Sequence, residues 1–244
     1  MFTLILPTYN ESESLPQLLD EICQHWSKEN GIIIADDSDE IHRDSIAKTV
    51  NKFRELGFQI DILYGNIRGG RGAAVQRAMK FSFNYLKRDD FLIEADADGS
   101  HRVQDILRMT EENLEAHFLV GSRYLFSSQI VGWSTSRRIL SRMLNFIIPR
   151  VLGIRIRDIT NGLRRYSYKS VEILLREPSI NSGFIYLSEQ ALILKENDVT
   201  PREFPIEFVP RISGSSSVQV TDLYKSFYGL FRILAMKKRY ERAH

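Results

Sequence analysis

Short apolar runs alternate with helical patterns through the first half of the chain, and this alternation restricts the fold more than any other feature. Runs with the length and β-branched content of buried strands are predicted at residues 2–6, 31–35, 59–64, 91–95 and 118–124. The segments between them carry apolar residues at helical spacing. Strands that alternate with helices form a mostly parallel sheet with helices on both faces. The sequence therefore predicts an α/β fold.

Local signals at the ends of the predicted helices support this assignment. Asn10 is predicted to cap the first helix, with Glu13 reaching back to complete a capping box. Gly57 is predicted to lie just past the end of the second helix, where a left-handed residue is favoured. The first helix carries an apolar stripe made of Leu15, Leu18, Leu19, Ile22, Cys23 and Trp26. Because Cys23 lies in that stripe, we interpret it as a core residue and not as a reactive thiol.

The regular alternation ends past the fifth predicted strand. Residues 137–152 are apolar on one side and rich in arginine on the other. Strands are predicted at 162–168 and 203–209, with a helix near 187–196 between them. The end of the sequence, 222–239, mixes aromatic and aliphatic residues and finishes in basic ones. No repeat and no linker divides the 244 residues, so a single domain is predicted.

The composition argues against several classes of protein. The single cysteine, Cys23, excludes a disulfide framework and a thiolate metal cluster. No stretch approaches the run of about 18 uncharged apolar residues that a membrane-spanning helix needs. The sequence starts directly in a strand-like run, without the basic segment or cleavage site of a signal peptide. A cytoplasmic protein is therefore expected.

Positive charge is concentrated in the middle of the chain. Residues 130–165 contain eight arginines, no lysine and one acidic residue, Asp158, although the net charge of the whole chain is only +2. Arginine binds phosphate oxygens through paired, charge-assisted hydrogen bonds. The pattern therefore indicates an anionic ligand for this part of the chain. A nucleic acid is not among the expected partners.

Two carboxylates follow the fourth predicted strand. Asp96 and Asp98 are one residue apart and precede a Gly-Ser turn. In an open α/β sheet, ligands gather at the carboxyl ends of the strands. Two such carboxylates repel each other unless a cation lies between them, and hard oxygen ligands suit Mg²⁺ or Mn²⁺ together with a substrate phosphate. A polar turn without a ligand is the alternative, and the residues alone leave both interpretations open.

Seven short motifs follow one another from residue 4 to about residue 217. They are Leu6-Pro-Thr-Tyr-Asn-Glu11, Asp36-Asp37-Ser38, Asp96-Ala-Asp-Gly-Ser-His101, Gly121-Ser-Arg-Tyr124, Trp133-Ser134 with Arg137, Asp158-Ile-Thr-Asn-Gly162 and Phe208-Val-Pro-Arg-Ile-Ser-Gly-Ser-Ser216. In this order they resemble the family 2 inverting glycosyltransferases of the GT-A fold, and more narrowly the dolichol-phosphate or polyprenyl-phosphate mannose synthases. The resemblance implies a Rossmann-like, mostly parallel sheet flanked by helices, with a C-terminal part that binds the acceptor.

The resemblance also implies a role for each matching position. Asp96, Asp98 and Ser100 would hold a Mg²⁺ or Mn²⁺ ion that bridges the diphosphate of the donor. The nucleotide-sugar would be bound by Pro7, Tyr9, Glu11, Asp36, Asp37, Asp96, Ala97 and Arg211. The phosphate of the acceptor would be bound by Arg123, Arg137 and Ser141. Of these residues, Asp98, Arg123 and Arg137 are expected to be catalytic.

The implied reaction is metal-dependent transfer of a sugar, with inversion, from a nucleotide-sugar to a polyprenyl or dolichyl phosphate. Mannose from GDP-mannose is the favoured donor. One alternative is a UDP-sugar such as UDP-glucose, transferred to a polyprenyl phosphate or to a glycan hydroxyl. A second alternative is a catalytically inactive protein that binds a nucleotide-sugar.

The resemblance divides the domain into three functional parts. Residues 1–124 would bind the nucleotide-sugar, 125–217 the acceptor, and 218–244 would form an amphipathic basic helix. That helix carries Phe227, Leu230, Phe231 and Leu234 at helical spacing, followed by Lys237, Lys238 and Arg239. Such a helix suits the surface of an anionic bilayer, so a peripheral position on the cytoplasmic face of a membrane is expected. Packing of the helix on the core of its own domain is the equally weighted alternative.

Three further features have structural explanations that compete with functional ones. The glycines at 69–72 lack the spacing of a dinucleotide fingerprint and are interpreted as a tight loop before a helix. His101 follows the carboxylate pair and is interpreted as a support for it and not as a metal ligand. Asp158 and Glu189 are each either a catalytic base or the partner of an arginine, and the sequence does not decide between these roles.

Overall fold

The computed structural model describes residues 1–65, 69–212 and 220–243, with side chains throughout except at 220–227 and 243. The strands are β1 (Phe2–Thr8), β2 (Gly31–Asp36), β3 (Gln59–Tyr64), β4 (Phe91–Glu94), β5 (Phe118–Ser122), β6 (Gln129–Ile130), β7 (Arg164–Ser167), β8 (Pro201–Pro205) and β9 (Glu207–Phe208). Seven of them form one sheet in the order β3-β2-β1-β4-β7-β5-β8, and β6 pairs with β9. All pairs are parallel except those of β7, which runs antiparallel between β4 and β5. The predicted, mostly parallel sheet is confirmed.

Eight helices accompany these strands in the described part of the chain. They are α1 (Ser14–Cys23), α2 (Glu40–Glu55), α3 (Arg71–Ser82), α4 (Val103–Arg108), α5 (Thr135–Leu152), α6 (Tyr168–Arg176), α7 (Tyr186–Glu196) and α8 (Val220–Ala243). Successive strand residues point to opposite faces, so Ile32 and Ile33 enter different hydrophobic cores. One core is covered by α1, α2 and α4, and the other by α3, α6, α7 and parts of α5 and α8. Helices therefore lie on both faces of the sheet, as predicted.

The predicted capping box at the first helix is wrong. Helix α1 begins at Ser14, and Glu13 makes no side-chain capping bond. Asn10 has φ 59° and exchanges hydrogen bonds with Asp39, its Nδ2 donating to Oδ2 at 2.9 Å and its Oδ1 accepting from the backbone N–H at 3.0 Å. Asn10 therefore joins the loop after β1 to the loop after β2 and is not available as a cap. The prediction for Gly57 is confirmed, since this residue has φ 91° directly past α2.

The sequence pattern predicts a helix over residues 103–117, but the observed helix ends early because a buried arginine binds the turn that follows it. Helix α4 ends at Arg108. The guanidinium of Arg165, on β7, donates to the carbonyls of Met109 at 2.6 Å, Glu112 at 2.7 Å and Asn113 at 2.6 Å. These carbonyls are bound by a residue more than 50 positions further along the chain, so periodicity could not locate the end of α4. The sequence pattern also missed α6 and β6.

Two of the eight arginines between residues 130 and 165 are structural. Arg164 and Arg165 are fully buried on β7. Arg164 donates to the carbonyls of Asn161 at 2.9 Å, Leu187 at 2.7 Å and Ile159 at 2.6 Å. Burial lowers the pKa of Arg165 to about 10, which leaves it charged at neutral pH. The interpretation that this segment's charge serves an anionic ligand therefore has to be restricted to its other arginines.

Arg164 should contribute strongly to stability. We expect Arg164→Met to lower the free energy of unfolding by about 3 kcal/mol or more, because three buried carbonyls lose a charged donor. Urea unfolding followed by circular dichroism measures this change. The control is Arg176→Met, which removes an exposed arginine paired with Glu172 and should cost less than about 1 kcal/mol. Similar losses for both variants would contradict the structural role of Arg164.

Candidate active site

The loops that follow β1, β2 and β4 meet at one edge of the sheet. These strands are adjacent and parallel, so their carboxyl ends point the same way. The backbone N–H of Asp37 donates to the carbonyl of Thr8 at 3.0 Å. The hydroxyl oxygen of Ser14 lies 3.2 Å from the carbonyl oxygen of Ala97. The predicted positions Pro7, Tyr9, Glu11, Asp36, Asp37, Asp96, Ala97 and Asp98 therefore all lie at this edge.

Asp36 and Asp37 have different surroundings. One oxygen of Asp36 accepts from the hydroxyl of Thr8 at 2.8 Å and from the N–H of Ser38 at 3.2 Å. Its other oxygen is buried and has no hydrogen-bond partner within the described residues. Asp37 accepts from Arg77 at 2.7 Å and from the N–H of Gly69 at 3.0 Å. Asp37 thus fixes the loop before α3, whereas Asp36 keeps an acceptor for a further group.

Each carboxylate of the central pair is held by an arginine. Arg71 donates to Oδ1 of Asp96 from Nε at 2.9 Å and lies within 2.7 Å of it through Nη2. Arg211 Nε contacts Oδ2 of Asp98 at 2.9 Å, and the N–H of Ser100 donates to Oδ1 of Asp98 at 2.9 Å. Burial would raise the pKa of Asp96, but the charge and hydrogen bond of Arg71 outweigh it and lower the value to about 2. Asp96 is therefore ionised at neutral pH.

Arg71 was missed as a functional residue in the sequence. Its guanidinium also contacts Glu94 and the hydroxyl of Tyr186, both fully buried. Tyr166 donates to the second oxygen of Glu94 at 3.1 Å. Burial raises the pKa of both tyrosines, so they remain protonated donors. The buried network holds Arg71 and thereby orients Asp96. The only sequence signal was an arginine among the glycines at 69–72, and it carried no indication of a partner.

His101 supports the backbone next to the carboxylate pair. Its Nδ1 accepts from the N–H of Asp96 at 3.0 Å, and its Nε2 lies 2.9 Å from Oδ1 of Asn161. Because the backbone donates to Nδ1, the proton is on Nε2 and Nε2–H donates to Asn161. Nε2 lies 3.8 Å from Oδ2 of Asp96. The interpretation of His101 as a support for the pair agrees with these contacts.

Glu11 approaches the same two carboxylates. The hydroxyl of Ser14 donates to its Oε2 at 2.6 Å. Burial is the main reason why the pKa of Glu11 is raised, and the neighbouring charge of Asp98 adds to the effect. Arg211 acts in the opposite direction. Glu11, Asp96, Asp98 and Arg211 thus form one electrostatically connected group.

Beside this group lies a cluster of arginines on aromatic rings. The guanidinium of Arg137 lies 4.1 Å from the ring centre of Trp133, and that of Arg123 lies 5.1 Å from the same ring. Arg123 is buried and binds Asp158 through two bonds of 2.7 and 2.8 Å. Desolvation, followed by the charges of Arg211 and Arg123, lowers the pKa of Arg137. An anion placed here would relieve that repulsion.

Arg137 differs from its neighbours in its pairing. Arg123 is neutralised by Asp158, and Arg211 is paired with Asp98. Within the described part of the chain, no carboxylate oxygen lies within 4.0 Å of the Arg137 guanidinium. Arg137 is the exposed member of the cluster, near the start of α5, where the hydroxyl of Ser134 caps the helix. It is therefore the arginine best able to bind an incoming anion.

Neither of the two candidate bases is free. Asp158 is the partner of Arg123 and also accepts from the backbone N–H of that residue at 2.9 Å. Glu189 is buried and accepts from the N–H groups of Ile180 at 2.9 Å and Asn181 at 3.0 Å. Both carboxylates are thus engaged in fixing loops. Of the two roles that the sequence left open, Asp158 has that of an arginine partner. Glu189 has neither role in these contacts and instead binds backbone N–H groups.

A cavity of about 890 Å³ extends from the arginine cluster along α5. Its walls combine arginines with apolar side chains and are formed by Arg123, Tyr124, Leu125, Phe126, Ser128, Arg142, Asn145, Phe146, Pro149, Arg150, Ile154, Arg155, Ile156, Arg157 and Glu203. The predicted residue Ser141 lies next to it, since its hydroxyl accepts from Tyr124 at 2.6 Å. Glu203, whose pKa is raised by burial, accepts from two backbone N–H groups. The cavity suits a ligand with an anionic head and an apolar body.

The central pair has the chemistry of a site for a hard divalent ion. Asp96 and Asp98 supply carboxylate oxygens, and Oδ2 of Asp96 is not held by Arg71. The hydroxyl oxygen of Ser100 is buried and, among the described residues, has no hydrogen-bond partner. No group of three or more His, Cys, Asp or Glu side chains in the described part of the chain forms a complete metal site. Further ligands would therefore come from a bound molecule and water. The end of the last motif, residues 213–216, lies outside the described residues.

The comparisons with known sequences point in one direction. The family described as "Glycosyl transferase family 2" matches residues 3–174. An undecaprenyl-phosphate mannosyltransferase of Micrococcus luteus is 28% identical over 216 residues, which are 88% of this chain and 86% of the relative. A polyprenol monophosphomannose synthase of Mycolicibacterium smegmatis is 26% identical over 230 residues, 92% of this chain and 83% of the relative.

Solved structures share the fold. Glucosyl-3-phosphoglycerate synthase from Mycobacterium tuberculosis, in complex with Mn²⁺, UDP-glucose and phosphoglyceric acid, superposes with a TM-score of 0.63 at 13% identity, covering 96% of this chain and 80% of that one. A mannosyltransferase from Pyrobaculum calidifontis, in complex with GDP-mannose and Mn²⁺, gives 0.56 at 12% identity, covering 99% and 74%. At this identity the likeness establishes the fold, and the expected GT-A architecture is confirmed.

Proposed function

This chain belongs to glycosyl transferase family 2, and from that premise we propose that it transfers mannose from GDP-mannose, with inversion, to a polyprenyl or dolichyl phosphate. The names of the two relatives support the acceptor and the sugar. The observation that carries the proposal is the arginine cluster, in which Arg137 is exposed beside two paired arginines, while the two candidate bases, Asp158 and Glu189, are both engaged. That arrangement suits an acceptor that is already an anion.

The donor would be bound at the edge formed by β1, β2 and β4. At the end of β2, where the base and ribose are expected, Asp36 has a buried oxygen without a hydrogen-bond partner among the described residues. Asp96, Asp98 and Ser100 would hold a divalent ion, Mg²⁺ or Mn²⁺, which when bound neutralises the charge of the leaving diphosphate as a Lewis acid. Arg211 would exchange its contact with Asp98 for a diphosphate oxygen. Arg71, held by Glu94, would keep Asp96 oriented.

The phosphate group of the acceptor would itself be the nucleophile, because it is already negatively charged. A phosphate monoester carries about 1.5 to 2 negative charges at neutral pH, because its second pKa is near 6. It can attack the anomeric carbon without losing a proton to the protein, provided that cations hold it in line. A sugar or lipid hydroxyl would instead need a base within reach. Asp158 and Glu189 are both occupied by structural contacts, so the acceptor proposed here is the phosphate, bound by Arg123, Arg137 and Ser141.

A transfer assay separates the alternatives. Purified protein with Mg²⁺ or Mn²⁺ is given radiolabelled GDP-mannose or UDP-glucose, each with a polyprenyl phosphate or the corresponding polyprenol. We expect product only from GDP-mannose with the phosphate. Product from UDP-glucose would replace the proposed donor, and product from the polyprenol would overturn the charged-nucleophile mechanism. Binding of a nucleotide-sugar without any product would favour an inactive binding protein.

Donor binding and acceptor binding are assigned to different parts of the chain. Residues 1–124 would form the donor-binding half and 125–217 the acceptor-binding half. Strand β7, from the second half, lies between β4 and β5 of the first, so the two halves share one sheet. Residues 218–244 contribute α8, which packs on the core through Ile233.

We also propose that the protein acts as a peripheral protein at the cytoplasmic face of a membrane, because a polyprenyl chain resides in lipid. None of the helices within the described ranges is long and apolar enough to cross a bilayer. Of the α8 residues expected to contact lipid, Leu234 packs against the core, while Phe231 is exposed and the side chain of Phe227 lies outside the described residues. Helix α8 is thus committed in part to its own domain.

A further inference from the structure

Helix α5 exposes a continuous apolar stripe to the surroundings. Its buried face consists of Asn145, Ile148, Pro149 and Leu152. The opposite face carries Ile139, Leu140, Met143, Phe146, Ile147 and Val151, which are between 42% and 63% exposed. These residues recur at helical spacing over three turns. A surface helix of a soluble domain normally presents polar residues on its solvent-facing side. The exposed apolar stripe therefore indicates an apolar binding partner.

The stripe continues into the acceptor cavity. Phe146 belongs to both the stripe and the cavity wall. Phe126, on the loop after β5, is fully exposed and also lines the cavity. The apolar surface is therefore continuous with the wall of the cavity, to which Arg123 and Tyr124 also belong. A long apolar chain could run along this path with its charged end at the arginines.

The charges around the stripe are all positive. Arg138, Arg142 and Arg150 lie on the same helix, and no Asp or Glu occurs between residues 130 and 157. Arg150 lies over the ring of Phe146 at 3.5 Å and donates to the carbonyl of that residue at 2.7 Å. A guanidinium that lies over an aromatic ring at the end of an apolar stem suits the boundary between lipid and water. Lipid headgroups of negative charge complement this arrangement.

We propose that the α5 face, comprising Ile139, Leu140, Met143, Phe146, Ile147 and Val151 with its flanking arginines, is the surface by which the protein lies in the interface of an anionic bilayer. The helix axis would be parallel to the membrane plane, with the stripe immersed at the level of the headgroups. The acceptor would then enter the cavity sideways from the lipid. This role for the face rests on the proposed lipid-phosphate acceptor, but binding to a bilayer can be measured without it.

A second copy of the chain fits this face less well than a bilayer. Two copies that met through α5 would bring together like-charged arginines that have no acidic partner on the helix. Like charges across an interface oppose association. Helix α8 is the other amphipathic helix, but Ile233 and Leu234 pack on the core and Lys237 donates to the carbonyl of Val151 at the end of α5. Helix α8 therefore supports α5 from the side.

Flotation with vesicles tests the proposal. The full chain is mixed with vesicles of phosphatidylcholine and phosphatidylglycerol in equal parts, and with vesicles of phosphatidylcholine alone. The α5 variant carries Ile139→Ser, Met143→Ser and Ile147→Ser, three exposed positions outside the cavity wall. We expect it to float at least about tenfold less than the wild type on the anionic vesicles. The wild type should float more weakly on phosphatidylcholine alone.

Two control variants make the result specific. Ile41→Ser with Leu114→Ser removes exposed apolar residues elsewhere and should leave flotation unchanged. Tyr228→Ser with Phe231→Ser removes exposed aromatic residues of α8 and should have a smaller effect than the α5 variant. Circular dichroism verifies that all variants are folded. The proposal is overturned if the α5 variant floats like the wild type, or if the α8 variant alone abolishes flotation. It is also overturned if ultracentrifugation shows a dimer that only the α5 variant breaks.

A transfer assay distinguishes failure of this proposal from failure of the proposed function. The α5 variant should retain activity on a water-soluble, short-chain polyprenyl phosphate and lose activity on a long-chain acceptor embedded in vesicles. Equal activity on both acceptors would contradict the membrane role of α5. If the wild type uses neither acceptor, the proposed function fails, whereas the flotation result still decides whether α5 binds the bilayer.

Discussion

Replacing Asp98 by Asn should lower kcat/KM for sugar transfer by about 10³-fold, because the carboxylate is expected to hold the ion that neutralises the leaving diphosphate. The amide keeps the size of the side chain and can still accept from the N–H of Ser100, so the loop should keep its shape. The loss should also appear in binding. In Mg²⁺ or Mn²⁺ the affinity of the variant for GDP should fall, measured by calorimetry.

Chelation provides the internal control for this result. In EDTA the wild type and Asp98→Asn should bind GDP with similar affinity, because the ion that distinguishes them is absent. Asp89→Asn removes an exposed carboxylate before β4 and should change neither binding nor transfer. Equal affinity of the wild type and Asp98→Asn in the presence of the metal would remove Asp98 from the metal site. It would leave Asp98 with the contacts to Arg211 and to the N–H of Ser100 that the structure contains.

Replacing Arg137 by Ala should lower kcat/KM for the polyprenyl phosphate by about 10- to 100-fold, the value of one or two charged hydrogen bonds to phosphate. Its guanidinium lies on Trp133 and is not paired with a carboxylate of the described residues, so its removal leaves no buried charge behind. The KM for the donor should change little. Arg137→Lys should restore part of the activity, because it keeps the charge without the planar fork.

The pH dependence provides a second measure of the same assignment. If the acceptor phosphate is its own nucleophile, kcat/KM for the acceptor should rise through about pH 6, where the monoester loses its second proton, and then level off. The same rise should remain in Arg137→Ala at a lower plateau. A rise that disappears in Asp158→Asn, or efficient transfer to the free polyprenol, would assign proton removal to the protein and contradict the charged-nucleophile mechanism.

The strand pattern and the motif order were sufficient to predict the sheet and the edge at which the candidate site residues meet. Buried strands such as Gly31–Asp36 have a local signature, and adjacent parallel strands place the polar residues that follow them at one edge. The sequence thereby indicated that Glu11, Asp36 and Asp98 share an edge. The boundaries of helices were less predictable, because distant side chains bind the adjoining loops. This applies to the start of α1 and to the end of α4, where Arg165 binds the turn.

The tertiary structure alone decided which charges are available to a ligand. By sequence, Arg123, Arg137, Arg164 and Arg165 are equivalent cations in one basic segment. In the fold, Arg164 and Arg165 bind buried carbonyls, Arg123 binds Asp158, and Arg137 remains exposed. Arg71, more than 20 residues before Asp96, became part of the site only through its contact with that carboxylate.

The exposed face of α5 illustrates the same division. The sequence determined that residues 137–152 form an amphipathic helix, because periodicity depends only on neighbours along the chain. It did not determine which side would meet the core. In the folded chain Ile148 and Leu152 are buried in the core, whereas Ile139, Met143 and Ile147 are exposed. Burial and the partner of a charge depend on groups that are distant in sequence and adjacent only in the folded chain, and for that reason they had to be learned from the tertiary structure.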